Sequence, residues 1–306
     1  GHATAENNGG MVYADALGTA YGVSAFAVHG DASAHNTGFV QANAQFGVAV
    51  GVYANTIHGN NADVANSGTV VANGYAAGVG MFVGGATASA TNDNWVQASA
   101  SAGDGFAAGI LAVGNDLSAT NNAYVDVRGT YATGIDVRAG DSAYVANNAN
   151  VWVTGVEATG ISAVAGAEDG LATVVNDGNV LVTADGNGTG IQVVARGYHG
   201  DAHIDNTGNV NVGGAYASGA LQGLVVAADI DATIHNSGSI NVNGGSAAYG
   251  ALALSADGDA IFTNDGDVIV QSGARGGVAF GALVQSKTGI SLVDNNNRIT
   301  AIGDTA

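Results

Sequence analysis

The chain has no cysteine and no proline, and only 6 of its 306 residues are lysine or arginine. Each absence excludes something. Without cysteine no disulfide can staple the fold, so backbone ladders and packing must supply its stability. Without proline no backbone N–H is forfeited, which suits a chain that pairs through most of its length. Six cations stand against 25 acidic residues, a formal charge of −19. Such a surface repels phosphate backbones, which excludes nucleic acid as an expected partner. No run of eighteen apolar residues exists, so no helix is expected to cross a membrane. Aromatic residues make up 6% of the chain, too few for a thick globular core.

Glycine, alanine and valine fill the space left by these absences. There are 50 glycines, 47% of residues are hydrophobic and 10% are charged. That mixture is too apolar for disorder and suits thin, closely stacked layers.

The layers repeat. An asparagine, usually followed two residues on by glycine, recurs at Asn8, Asn36, Asn66, Asn92, Asn121, Asn147, Asn176, Asn206, Asn236, Asn264 and Asn295. The intervals run from 26 to 31 residues and average close to 29. Four residues after each anchor stand Val12, Val40, Val70, Val96, Val125, Val151, Val180, Val210, Ile240, Val268 and Ile299, all β-branched. Six residues after it only alanine or valine occurs. Alternation at period two puts these columns on one face of a strand. A second strand follows a glycine about thirteen residues past the anchor, as in GIDVRA at Gly134, GISAVA at Gly160 and GIQVVA at Gly190. A third, shorter strand runs into the next asparagine.

Three short strands per repeat with no helical periodicity describe a coil. One coil cannot bury its apolar face alone, whereas coils stacked in parallel bury a continuous core. The expected fold is therefore all-β: one single-stranded parallel β-helix over residues 1–306, right-handed, of about ten coils with three strands each. Residues 1–6, GHATAE, read as an expression-derived or disordered start.

Units of the form N-[ST]-G-x-[VI]-x-V-x-G…A-x-G-[IV]…A-x-[IV]-x-N, from Asn8 to Ala301, resemble bacterial autotransporter passenger domains. They are similar as well to filamentous-haemagglutinin-like exoproteins of two-partner secretion. The resemblance implies a secreted or outer-membrane-anchored protein at the bacterial surface, acting in adhesion or aggregation or as a stalk. The signal sequence and C-terminal β-barrel of such proteins are not in this sequence. The chain stops at RITAIGDTA after the first strand of a coil, so a fragment of a longer passenger is expected. Expected partners are a host-cell or bacterial surface protein or glycan, or a second copy; no cofactor is expected.

Outward positions are where a partner could touch. Phe39, Trp95 and Tyr124 lie three residues past their anchors and Trp152 five, forming an expected outward aromatic face. Exposed aromatics can contact protein or glycan, or merely cover the sheet beneath them. The asparagines Asn36, Asn66, Asn92, Asn121, Asn147, Asn176, Asn206, Asn236 and Asn264 are read as a structural amide ladder at one corner, where the following glycine permits positive φ. No metal site is expected. In HGDAH, His199 and His203 are about 13 Å apart along an extended strand, and NDGD (264–267) and SADGDA (255–260) read as solvated corners. Asp205 and His235 each precede an anchor, so they should be neighbours one coil apart, raising the histidine's pKa. The alternative function is a polysaccharide lyase or hydrolase, which needs clustered carboxylates. Asp126 and Asp136 fall in different columns, so catalysis is not expected.

Overall fold

The computed structural model describes residues 1–214, 217–273 and 277–303. Its coils follow the repeat. Eleven copies of the first strand, from Met11–Ala16 to Ile299–Ile302, stack in parallel into one sheet. The register keeps the β-branched column intact: Val12 pairs with Val40, Val40 with Val70, and so on to Val268 with Ile299. The second and third strands form an 18-stranded parallel sheet. Three coils merge them into single long strands, Ala77–Asn92, Phe106–Asn121 and Tyr131–Asn147. The architecture is a parallel β-solenoid of about ten turns, consistent with a right-handed β-helix.

The interior is a narrow column of Val, Ala and Ile, with Phe262 and Met81 the largest side chains fully enclosed. Burying one valine contributes roughly 1.5–3 kcal/mol, so the column gains its stability by repetition rather than by bulk.

A second set of glycines shapes the cross-section. Gly22, Gly51, Gly80, Gly109, Gly134, Gly160, Gly190, Gly223, Gly250 and Gly281 all face the interior within the second strand. A Cβ on any of them would overlap the β-branched side chain of the next coil's first strand, such as Val180 above Gly160. The two walls therefore approach more closely here than any side chain would allow. In the coils of Gly134, Gly160 and Gly190 the next residue also faces inward (Ile135, Ile161 and Ile191 are fully buried), so the strand is drawn toward the axis.

Three expectations are corrected. Residues 1–6 are not a disordered start: Ala3–Asn7 is a strand in register with Ala32–Asn36. The first ladder asparagine is consequently Asn7 rather than Asn8, because the first corner holds one extra residue. Asn8 is exposed and bonds to Glu6. Lastly, the glycines two residues after Asn36, Asn66, Asn176, Asn206, Asn236 and Asn264 do not adopt positive φ; among the described residues glycine takes it at Gly9, Gly30, Gly244 and Gly245. They are small for a different reason. A Cβ on Gly68, Gly208 or Gly238 would run into the backbone carbonyl of the corner glycine one coil below.

Candidate functional site

The asparagine ladder is structural and continuous. Each Nδ2 donates to the Oδ1 of the next coil's asparagine, from Asn7 to Asn36 at 2.8 Å through Asn264 to Asn295 at 2.8 Å. Most members also donate to the carbonyl two residues on, as Asn206 does to Gly208. Asn36 through Asn264 are buried, and among the described residues no buried side-chain polar atom lacks a partner.

The outward aromatic residues divide into two groups. Trp95, Tyr124 and Trp152 stack edge to face on three successive coils, with ring centroids 5.8 and 5.0 Å apart. The tryptophans remain 46% and 43% exposed, so the stack covers the first-strand sheet without being covered itself. Tyr124 lies between them, and burial pushes its phenol upward, with the Asp126 carboxylate adding to the effect. Asp126 pairs with Trp152 across the sheet and holds Arg128 at 3.1 Å. Phe39 does not join this group. Its cross-strand neighbour toward the stack is Thr69, and its ring instead meets Tyr13 at 5.6 Å.

Two further aromatic rows lie on the other sheet and were not anticipated. Tyr21, Tyr53 and Phe82 follow one another at 5.1 and 5.0 Å, and Tyr249 stacks on Phe280 at 5.2 Å. Their signal was available one residue before or two residues after the interior glycine. Counting from the asparagine obscures it, because loop length between the first and second strands varies.

Asp136 also sits beside that glycine. Although it points outward, it is only 2% exposed, and Arg138, two residues on and on the same face, reaches it at 2.6 Å. Burial pushes its carboxyl up, while Arg138 and the Ser162 hydroxyl pull it back. Asp126 lies on the first-strand sheet and Asp136 on the second, so the two carboxylates do not converge.

Asp205 and His235 are cross-strand neighbours at 3.1 Å, and Asp265 of the following coil holds the other ring nitrogen at 3.2 Å. Hydrogen bonding to Asp205 leads the upward shift of the His235 pKa. Burial moves His203 the opposite way. In HGDAH, His199 occupies a left-handed corner (φ 67°) and faces Asp169 one coil back, 3.5 Å away. Carboxylates of the acidic turns are engaged locally: Asp265 accepts from Asn296, Asp267 from Arg298, and Asp259 from the Ile290 N–H. Among the described residues no three acidic or histidine side chains are grouped as metal ligands.

Family models, curated proteins and solved structures were all compared with the chain, and none matches it.

Proposed function

We propose that this chain is a non-catalytic β-helical segment of a surface-exposed or secreted bacterial adhesin that binds through a side face of the rod. The observation that carries this reading is the exposed Trp95–Tyr124–Trp152 stack. Elsewhere the outward columns of the first-strand sheet mix asparagine, threonine, serine and glutamine with scattered apolar side chains such as Met11, Leu181 and Ile269, and no other three successive coils carry aromatic rings there. Three contiguous rings, locked edge to face, offer a rigid, partly desolvated aromatic surface to a protein or to the apolar face of a sugar. The repeat pattern supports placement in the autotransporter or two-partner class, where such rods project binding surfaces from the cell.

A polysaccharide-active enzyme is the second reading, favoured by the buried, upward-shifted Asp136. The concavity that contains Asp136 is lined by no second carboxylate, and Arg138 already engages the one present. Paired acid and base groups, which glycoside cleavage requires, are not assembled there.

The test is binding of the labelled chain to bacterial and host cells and to a glycan panel, alongside the W95A/W152A variant. Loss of cell binding with an unchanged circular dichroism spectrum is expected. Binding that survives the double substitution places the contact elsewhere.

A further inference from the structure

The interior glycines have a consequence on the outside of the rod. Where the second strand is drawn inward, the residue before each glycine and the residue two after it become the walls of a shallow trough. In the middle coils one wall is Thr133, Thr159 and Thr189 and the other is Asp136, Ser162 and Gln192, each row in register from coil to coil. Both walls line a single concavity of about 480 Å³, joined by Arg138 and Arg196. A second concavity of about 380 Å³ shares Thr133, Thr159 and Arg138 and reaches Thr189, so the trough continues along the axis.

The chemistry of this stretch differs from that of the rest of the molecule. Two of only six cationic residues meet here, in a chain of net charge −19. Arg138 is committed to Asp136. Arg196 makes no ion pair with a described residue, which leaves an uncompensated guanidinium beside a floor of hydroxyl and amide groups. A guanidinium in that setting matches a carboxylate in bidentate geometry. Threonine, serine and glutamine side chains match vicinal hydroxyls. Farther along the same columns the walls become the stacked pairs Tyr53–Phe82 on one side and Tyr249–Phe280 on the other, which offer apolar aromatic edges to the C–H groups of a sugar. Coils succeed one another every 4.8 Å or so, a spacing comparable with one hexose of an extended chain.

We propose that this trough binds a linear, uronate-bearing polysaccharide lying along the rod axis, with Arg196 receiving a sugar carboxylate and the Thr133, Thr159 and Ser162 hydroxyls meeting the ring hydroxyls. The site lies on the second-strand sheet and uses neither Trp95, Tyr124 nor Trp152, so it stands or falls separately from the aromatic stack.

The experiment is calorimetric titration of the chain with a β-1,4-linked mannuronate tetrasaccharide and with β-1,4-mannotetraose, its neutral counterpart. The uronate is expected to bind, and the neutral sugar to bind about ten-fold more weakly or worse. Arg196→Gln is expected to weaken uronate binding by about ten-fold. Gln192→Glu, which adds a negative charge to the opposite wall, is expected to abolish it, and W95A/W152A to leave it unchanged. Arg196 is exposed and Gln192 half-buried, so both single variants should keep the wild-type circular dichroism spectrum. No uronate binding, equal binding of the neutral sugar, or wild-type affinity in Arg196→Gln overturns the proposal.

Discussion

Asn206 accepts from Asn176 and donates to Asn236, both at 2.7 Å, at a corner closed to solvent. Replacing it with alanine strands an amide donor on one side and a carbonyl acceptor on the other. Asn206→Ala is expected to cost about 2–4 kcal/mol in urea denaturation, whereas Asn8→Ala, at an exposed corner, is expected to stay within about 0.5 kcal/mol. Equal effects at the two positions would remove the ladder from the account. His235 gives a second residue-scale test. Its folded pKa lies above the ordinary 6.5, so its pairing with Asp205 and Asp265 stabilises fully below 6.5 and fades as pH rises through the folded value. His203 is shifted down and contributes the opposite slope. The clean quantity is therefore the difference in melting temperature between wild type and His235→Gln: positive at pH 5.5 and shrinking toward pH 8.5. A difference that grows with pH would contradict the assignment. The Asp205–His235 contact was legible in the sequence because the anchor register places both one residue before an asparagine. Asp265 was not, since it approaches from the far side of the corner, one residue after its own anchor.

Among elements, the first strand was the most legible and the second the least. Alternating Val and Ala at fixed offsets from the asparagine can only be one buried strand face, and the observed pairing keeps that register through every coil. The second strand starts after a loop of variable length, so its columns drift when counted from the anchor. The stacked Tyr21, Tyr53 and Phe82 were hidden for that reason, and so was the trough. The glycine that opens GIDVRA, GISAVA and GIQVVA reads in the sequence as a strand start, whereas the strands begin two or three residues earlier, and its function as a close-contact point depends on which residue faces it from the next coil. That function can be tested. Gly160→Ala forces a methyl into Val180 and is expected to destabilise by about 3 kcal/mol or more in chemical denaturation. Gly103→Ala meets no atom within 4 Å and is expected to be near neutral. A tolerated alanine at Gly160 would mean that the walls can separate and that the trough is not fixed by the backbone.

For the molecule as a whole, repetition makes a stiff rod whose inside is uniform and whose outside is not. A net charge of −19 opposes its own compaction. Raising sodium chloride from low to physiological ionic strength screens that repulsion and is expected to increase the melting temperature. No divalent ion is expected to be required, because Asp265, Asp267 and Asp259 of the acidic turns are held by His235, Asn296, Arg298 and a backbone N–H. Addition of EDTA is expected to shift the melting temperature by less than about 2 °C, and a large drop would reveal a structural cation. The central claim is that the repeat is scaffold and that binding lies where an outward column departs from it. Replacing Trp95, Tyr124 and Trp152 together with asparagine, the residue the same columns carry in later coils, tests this most directly. Quantified cell binding of the triple variant is expected to be lost while the β-type circular dichroism spectrum and cooperative unfolding persist; cell binding retained at the wild-type level by a folded triple variant would contradict the account.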